Sequence, residues 1–441
     1  MADGGLSERA ARVAGEPRPE RRELLLVLVA AGLAVALRLA YVLITDDHQL
    51  AGDEPEYHKE GSFAADGKWL WTETFGVEHE SMQKAPGYPV WVGVWYTLLG
   101  KNPDRVLAIQ ALMGFVPVGL TWLLGRRLFA PPVGLAAAFV VAVAPSAWQF
   151  DVRLYSEALA TPLMLILLLV VLERGPSRGR VIAVGALLGV SLLIRPSAVF
   201  LFATVVATWA MVGGWRRGLL HSAAAVGLAV LIVVPWTLRN HSVDPDHLVP
   251  ISIQDAALYG TFNDDAANDE KRPWAWRAVP ASIDDIRSGP PLSDGEFRER
   301  LREKGFDYIR EHPSSVPKAF FWNGVVRVWG LQRPERVIEP APVDGRERTI
   351  ATLAYISWTL MLPFTVAGLW LARRRRALVV PLLVTALAVS VVYTSDGGTR
   401  YRQPLEPVCA IFACSAAFAA AGALRRRRSA GSARPAAPSP A

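Results

Sequence analysis

Carboxylates follow the first long apolar block of the sequence after only a few residues, in the stretch Gly52-Asp53-Glu54-Pro55-Glu56-Tyr57-His58. If that block crosses a membrane, Asp53 and Glu54 lie at the boundary between lipid and water. A carboxylate there can act as a general base towards a hydroxyl group. Alternatively, the stretch is a solvated loop start that Pro55 stiffens. Spacing alone leaves both interpretations open.

Basic side chains lie at the ends of several apolar blocks, where they can meet a negatively charged group such as a phosphate. The candidates are Lys84, Arg153, Arg195, Arg239, Arg400 and Arg402. Glu157 begins an apolar run, and ionisable residues at membrane depth are functional candidates because burying them is costly. The alternative is that the basic side chains extend towards water or pair with a neighbouring carboxylate such as Glu157.

Metal and nucleotide motifs are weak or missing. His48, His58 and His79 share one segment with Glu78 and Glu80, but their spacing matches no familiar metal motif. The sequence has no glycine-rich phosphate loop of the GxxxxGKS/T type and no GxSxG nucleophile motif. The sequence therefore indicates no cofactor with certainty, and a divalent metal stays an open alternative.

The composition is that of a membrane protein. Of the 441 residues, 52% are hydrophobic, and they occur in long separate blocks of Leu, Val and Ala, many of which approach the length of a bilayer span. The net charge of +7 comes from arginines at block ends, which is typical of cytoplasmic loops and disfavours nucleic-acid binding. Cys409 and Cys414 both lie in the last apolar block, where neither a disulfide framework nor a zinc site is expected.

Hydropathy and the placement of Lys and Arg predict an all-α, polytopic membrane protein of about ten transmembrane helices, with both termini in the cytoplasm. The predicted spans are roughly 23–45, 104–124, 131–150, 156–172, 180–194, 197–213, 218–237, 351–371, 377–394 and 404–424. The fifth and sixth are short and meet at Arg195-Pro196, so a broken helical hairpin is an alternative to two crossings.

Five regions follow from these spans. They are a cytoplasmic tail 1–22, a membrane module 23–239 with a first extracytoplasmic loop 45–103, an extracytoplasmic loop domain 240–350, a membrane bundle 351–424 and a disordered cytoplasmic tail 425–441. We predict interfacial helices at Gly87–Gly100 and Lys318–Trp329. A capping box formed by Ser293 and Glu296 predicts a further helix, which Pro313 ends.

The order of several short motifs resembles the GT-C superfamily of membrane glycosyltransferases. More narrowly, the chain is similar to the bacterial relatives of the dolichyl-phosphate-mannose protein mannosyltransferases and of the aminoarabinose lipid A transferases. The motifs are the DE pair at Asp53-Glu54, Lys84-Ala85-Pro86-Gly87-Tyr88-Pro89, Gly125-Arg126-Arg127-Leu128-Phe129, Pro145, Ser156-Glu157, Arg195-Pro196, the PWTLRN stretch 235–240 and the RYRQPLEP stretch 400–407. The resemblance covers roughly Leu24 to Gly422.

The resemblance implies an inverting transfer of a sugar from a polyprenyl-phosphate donor, at the extracytoplasmic face of a bacterial plasma membrane. It places Asp53, with Glu54 beside it, at the position of the family's catalytic base. It also implies that Lys84, Arg400, Tyr401 and Arg402 hold the donor phosphate, with Arg153 and Glu157 as looser matches. Tyr57, Arg195 and Arg239 are further candidate site residues within the same motifs.

The acceptor can be an extracytoplasmic lipid, glycan or protein. Because the chain lacks the long central loop domain of the larger protein mannosyltransferases, transfer onto protein is in doubt. The main alternative function is a multi-span transporter or flippase of a lipid-linked or anionic substrate, which broken helices suit. A membrane scaffold without catalysis is a third hypothesis, which removing the Asp53 carboxylate would distinguish.

Overall fold

The fold, taken from a computed structural model, is an all-α membrane fold that also contains a small β-hairpin. The structure describes residues 19–45, 49–74, 76–252, 255–277, 294–341 and 345–432. Within them, six helices are long and apolar enough to cross a membrane, and three apolar helices are shorter. The prediction of a polytopic helical membrane protein is therefore confirmed.

The helices that precede Asp244 include the apolar helices of the first half and the helices of the first loop. They are α1 (Arg21–Ile44), α2 (Glu54–Ala65), α3 (Gly87–Leu99), α4 (Pro103–Met113), α5 (Phe115–Leu128), α6 (Pro131–Val143), α7 (Glu157–Val171), α8 (Arg178–Ile194), α9 (Phe200–Gly213) and α10 (Trp215–Val243). The second half contains α11 (Asp255–Thr261), α12 (Asp264–Ala267), α13 (Asp294–Glu311), α14 (Ser315–Ala319), α15 (Pro334–Ile338), α16 (Arg348–Leu371), α17 (Arg376–Val392) and α18 (Glu406–Ser432). Short 3₁₀ turns occupy Pro145–Ala147, Pro196–Val199 and Thr399–Leu405.

A helix occupies each predicted span, but the third is shorter than expected. It ends at Val143 instead of near 150, because Pro145 disfavours helical backbone at the residue before it, and Ala144 is extended with φ −77° and ψ 112°. The residues that follow, up to Ser156, form tight turns that are buried in the protein. This buried connection brings polar residues next to the first loop.

The predicted break at Arg195-Pro196 is present. Helix α8 ends at Ile194, Arg195 is extended with φ −151° and ψ 111°, and a 3₁₀ turn leads into α9. The cause is again the proline, which excludes the helical conformation for the residue before it. The break lets the buried Arg195 side chain contact residues of other elements.

The first loop folds into a compact unit. Strands β1 (Trp71–Thr74) and β2 (Val77–Glu80) pair antiparallel with Trp71 opposite Glu80. Helix α2 packs on α3, and this close approach depends on Gly61, where a Cβ would lie 2.5 Å from Val92 Cγ1. A buried cluster that includes Tyr57, Tyr88 and Tyr96 joins the unit to the membrane helices. The helix predicted at Gly87–Gly100 is found one residue shorter.

The second polar segment contains the helix that was expected before Pro313, although Ser293 lies outside the described residues. The helix predicted at Lys318–Trp329 consists of α14 and a π-helix, Phe320–Arg327. Wide helical turns of this kind are rare and occur often at functional sites. The buried face of the π-helix carries Asn323, whose amide donates to the Trp274 and Thr394 carbonyls.

Candidate functional site

Asp53 is the residue on which distant cations converge. Its side chain is 36% exposed, and its carboxylate lies 2.9 Å from Lys84 Nζ and 2.8 Å from an Arg400 terminal nitrogen. Asp53 precedes the first residue of α2, and Lys84 stands two residues before Pro86, which caps the start of α3. Arg400 comes from the 3₁₀ turn ahead of α18. The first loop and the last membrane element therefore meet at this carboxylate.

Arg400 also binds a second carboxylate. Its Nε donates to Glu157 Oε1 at 2.5 Å, and the same oxygen lies 2.5 Å from Arg195. The Glu157 side chain is fully buried, whereas Glu56 is half-exposed and pairs with Lys84 at 2.7 Å. We call these six residues the charge cluster; its members are Asp53, Glu56, Lys84, Glu157, Arg195 and Arg400.

Tyrosines line the charge cluster. Lys84 lies over the Tyr57 ring at 5.3 Å, and Arg400 lies over Tyr155 at 4.1 Å. Tyr401 stacks on Tyr393 with ring centroids 4.0 Å apart, and Arg195 lies 5.4 Å from Tyr401. Cations gain electrostatic attraction from aromatic faces, particularly where water is excluded. The rings thus hold the cations in place without neutralising their charge.

The electrostatics keep Asp53 ionised. Burial alone would raise the pKa of Asp53, but the charges of Arg400 and Lys84 outweigh it and hold that pKa well below its usual range. For Lys84, burial would lower the pKa, and the charge of Asp53 reverses this, so the pKa of Lys84 is raised. Both groups are fully charged at neutral pH.

Glu54 and Arg153 form a separate, buried ion pair away from the charge cluster. Glu54 also accepts backbone N–H bonds from Leu154 at 2.9 Å and Ala51 at 3.0 Å, and Arg153 donates to the Gly345 carbonyl. This pair ties the first loop to the buried connection 144–156. The geometry does not bring either side chain to Asp53.

Arg402 and Arg239 also point elsewhere. Arg402 is buried, donates to Glu406 at 3.0 Å and to the Val328 carbonyl at 3.1 Å, and stacks on Trp358. Arg239 donates to the Ser81 carbonyl at 2.6 Å and so binds the end of the hairpin. Tyr401, in contrast, joins the edge of the charge cluster, and its hydroxyl donates to Asp396.

Sequence reasoning missed Glu56, Tyr155 and Tyr393 as members of the site. Glu56 has a detectable signal, since residues i and i+3 share one face of a helix and Asp53 lies three residues before it. Tyr155 and Tyr393 carry no such signal. Within the described ranges, no group of three or more His, Cys, Asp or Glu side chains could hold a metal ion.

An apolar cleft begins next to the charged residues. Arg195 and Tyr401 form its polar end, and its apolar walls come from α7, α8, α9, α17 and the turn before α18. The residues along these walls are Ala160, Met164, Ser191, Ala198, Phe200, Leu201, Tyr393 and Pro404. The cleft has a volume of about 20 Å³, enough for about one water molecule, so its walls must move apart before it can hold a hydrocarbon chain.

Comparison with known proteins agrees with this architecture. Residues 83–238 match the family model described as dolichyl-phosphate-mannose-protein mannosyltransferase. No curated protein sequence matches the chain significantly.

Solved structures are similar to this chain in fold, among them the following three. ArnT from Cupriavidus metallidurans, bound to undecaprenyl phosphate, is 19% identical with a TM-score of 0.53 over 89% of this chain and 59% of that chain. The oligosaccharyltransferase from Archaeoglobus fulgidus in its apo form is 14% identical with a TM-score of 0.57, over 93% and 52%. The same organism's AglB, in complex with an inhibitory peptide and a dolichol-phosphate, is 14% identical with a TM-score of 0.53, over 96% and 53%.

The chain thus spans between about half and three fifths of the length of these structures. Identities this low establish the fold alone. With the family-model match to residues 83–238, they confirm the resemblance stated from the sequence: the chain has the fold of the GT-C superfamily.

Proposed function

We propose that the chain is a glycosyltransferase that moves a sugar from a polyprenyl-phosphate donor to an extracytoplasmic acceptor, with Asp53 as the base. The observation that carries the proposal is the convergence of Lys84 and Arg400 on the Asp53 carboxylate. A base and two phosphate-binding cations are what attack on a phosphate-linked anomeric carbon requires. The bound undecaprenyl phosphate of ArnT and the dolichol-phosphate of AglB support the donor class.

The transfer follows from these positions. The acceptor hydroxyl oxygen attacks the anomeric carbon while Asp53 takes the hydroxyl proton. The bond from that carbon to the phosphate oxygen breaks, and its electron pair leaves with the phosphate. Lys84 and Arg400 bind the negative charge that develops there. Attack opposite the leaving group inverts the configuration at the anomeric carbon.

Donor binding also adjusts the base. Without a donor, Lys84 and Arg400 hold the pKa of Asp53 below its usual range, which makes its carboxylate a weak proton acceptor. A phosphate between the same two cations brings a second negative charge close to Asp53. Like charge disfavours the ionised form and raises the pKa of Asp53 towards the range of an effective base.

The remaining candidates have supporting roles in this scheme. Glu157 orients Arg195 and Arg400 through its Oε1 atom. Its other oxygen, Oε2, is buried and has no hydrogen-bond partner among the described residues, which supports a role in accepting a hydrogen bond from a sugar hydroxyl of the bound donor. We expect the apolar cleft beside Arg195 to widen and receive the first part of the prenyl chain.

The test is transfer by purified protein in lipid, incubated with a panel of radiolabelled polyprenyl-phosphate sugars and membrane extract. We expect one donor to release its label to an acceptor. Asp53→Asn should slow that transfer by about 100-fold or more, the usual contribution of a general base. The matched control is Asp66→Asn, which removes an exposed carboxylate of the same loop that pairs with Lys101.

Two outcomes contradict the proposal. One is transfer by Asp53→Asn at the wild-type rate. The other is a folded wild-type protein that transfers no label from any donor. In the second case, movement of the labelled lipid between leaflets without transfer would support the flippase alternative.

A further inference from the structure

An open groove lies beside the π-helix, outside the charge cluster. It has a cavity volume of about 330 Å³, at the lower end of the range for small-molecule sites. Its lining residues are Trp322, Val326, Leu331, Gln332, Arg333 and Arg336. The groove thus combines an aromatic ring, an amide and two cations.

The two arginines of the groove carry positive charge that no described carboxylate neutralises. Neither Arg333 nor Arg336 forms an ion pair with a carboxylate of the described residues, and both side chains are exposed. Arg327 lies next to them on the π-helix, where its guanidinium donates to the Asn323 amide oxygen and the Pro273 carbonyl. These hydrogen-bond partners are neutral, so they do not themselves offset its positive charge.

The arginines around the groove repel one another. Burial lowers the pKa of Arg327 to about 10. The positive charges of Arg272 and Arg336 act in the same direction. The negative charges of Asp269 and Asp396 act against it. Asp269 is already paired with Arg277. A cluster of like charges within a concave surface attracts an anion, because the anion relieves the repulsion.

The π-helix beside the groove is connected to the proposed catalytic site by a short chain of interactions. Asp396 interacts with Arg327 and accepts a hydrogen bond from Tyr401. Tyr401 in turn lies 5.5 Å from the Arg400 guanidinium, which holds Asp53. These contacts link Arg327, on the π-helix beside the groove, to the segment that carries the proposed phosphate-binding cations.

We propose that this groove binds the acceptor, and that the acceptor is a glycan bearing a phosphate or carboxylate group. Trp322 offers an apolar face to a sugar ring, Gln332 offers hydrogen bonds to hydroxyls, and Arg333 and Arg336 bind the anionic group. The acceptor role rests on the proposed function; the binding of an anionic sugar does not.

The experiment measures binding of mannose 6-phosphate, glucuronic acid and unmodified mannose to the full-length protein in neutral lipid nanodiscs by saturation-transfer NMR. The two anionic sugars should bind more tightly than mannose. The double variant Arg333→Gln/Arg336→Gln should weaken their binding by about tenfold or more, since each lost charge-assisted hydrogen bond has an effect of that order. The control pair Arg300→Gln/Arg302→Gln removes the same charge from α13 and should bind as wild type.

A second variant separates shape from charge. Val326→Trp keeps every arginine and fills the groove, and it should abolish binding of the anionic sugars. Equal binding of mannose and its phosphate, or unchanged binding by both groove variants, overturns the proposal. So does variant-sensitive binding of phosphatidylglycerol in the absence of sugar binding, since the groove would then hold a lipid headgroup.

Binding of the lipid carrier is followed in parallel by native mass spectrometry with undecaprenyl phosphate. The groove variants should bind it as wild type does. If the wild type binds undecaprenyl phosphate but neither anionic sugar, the groove proposal alone is rejected. Absence of undecaprenyl phosphate binding in the wild type would count against the proposed function, whatever the sugars do.

Discussion

Asp53 and Glu54 are adjacent in the sequence but lie in different environments. Glu54 is fully buried against Arg153, whereas Asp53 is partly exposed between Lys84 and Arg400. Helix α2 begins at Glu54, and successive helical side chains are rotated by about 100°, so the two carboxylates point in different directions. One is suited to holding the loop in place and the other to meeting a substrate.

This difference predicts that Glu54→Gln destabilises the protein and that Asp53→Asn does not. Glu54→Gln leaves the Arg153 charge buried without its partner, which costs about 3–5 kcal/mol. Asp53→Asn leaves Lys84 paired with Glu56, and its effect should stay below about 1 kcal/mol. Thermal unfolding of both variants in nanodiscs checks the prediction. Equal melting temperatures would show that Glu54 is not structural.

Arg400 is predicted to be irreplaceable by lysine. Its Nε binds Glu157 while a terminal nitrogen binds Asp53, and a single ammonium group cannot span both carboxylates. We expect Arg400→Lys to slow transfer by about tenfold to 100-fold with the charge retained. Initial rates measured beside the exposed control Arg348→Lys test this. Wild-type rates in Arg400→Lys would remove Arg400 from the phosphate site.

At the scale of elements, the turn before α18 explains why Arg400 and Arg402 have different partners. Residues 399–405 form a 3₁₀ turn, in which side chains three apart share a face and side chains two apart do not. Arg400 and Gln403 accordingly both contact the segment 148–157, where Gln403 donates to Asp151 at 2.7 Å. Arg402 faces Val328 instead.

The unit made of α2 and the hairpin contains a pH-sensitive contact. Glu60 is buried and accepts from Ser81 Oγ at 2.5 Å. Burial raises the pKa of Glu60 to about 7, and the negative charge of Glu56 acts in the same direction. The hydrogen bond from Ser81 and the positive charges of Lys84 and Arg239 lower this pKa, but they are outweighed. The folded state therefore favours the protonated form of this carboxyl group.

The sign of the pH dependence follows from the raised pKa. Stability from neutral Glu60 is fully present below the unfolded pKa of about 4.3 and is lost as the pH rises through 7. We predict a lower melting temperature at pH 8 than at pH 5, and a smaller difference in Glu60→Gln. The exposed control Glu78→Gln should retain the wild-type difference; an unchanged slope in Glu60→Gln would contradict the prediction.

On the scale of the whole molecule, charged residues gather at opposite ends of the helical bundle. Arg126 pairs with Glu23, and Arg375 pairs with Glu173 at 2.7 Å, so these arginines lie at the end where α1 begins. The charge cluster lies just past the other end of α1, beside α2. This separation agrees with arginine-rich loops on one side of a membrane and the candidate site on the other.

Cysteine labelling tests the sidedness that remains a prediction. Cys409 and Cys414 are buried, so background labelling of the native protein should be low. In intact cells, a membrane-impermeant maleimide should label Lys101→Cys, and it should label Arg374→Cys only after permeabilisation. The reverse pattern would place the proposed site in the cytosol, where a flipped lipid-linked donor is absent.

The sequence alone determined the membrane class, the helix positions and the residue types of the site. Apolar blocks of span length and arginines at their ends are local signals, and so is Pro196, which interrupts the helix at Arg195. Asp53, Lys84 and Arg400 all lie in motifs that can be recognised without a structure. Local patterns suffice here because the bilayer constrains each segment separately.

Which cation meets which carboxylate was decided only by the tertiary structure. Arg400 and Glu157 are 243 residues apart, and no local rule distinguishes Arg400 from Arg402 or Asp53 from Glu54 as the partner. The direction of each side chain depends on the helix or turn that carries it and on how those elements pack. Pairing between buried charges is therefore a property of the assembled bundle, and it separated Glu54 and Arg153 from the site.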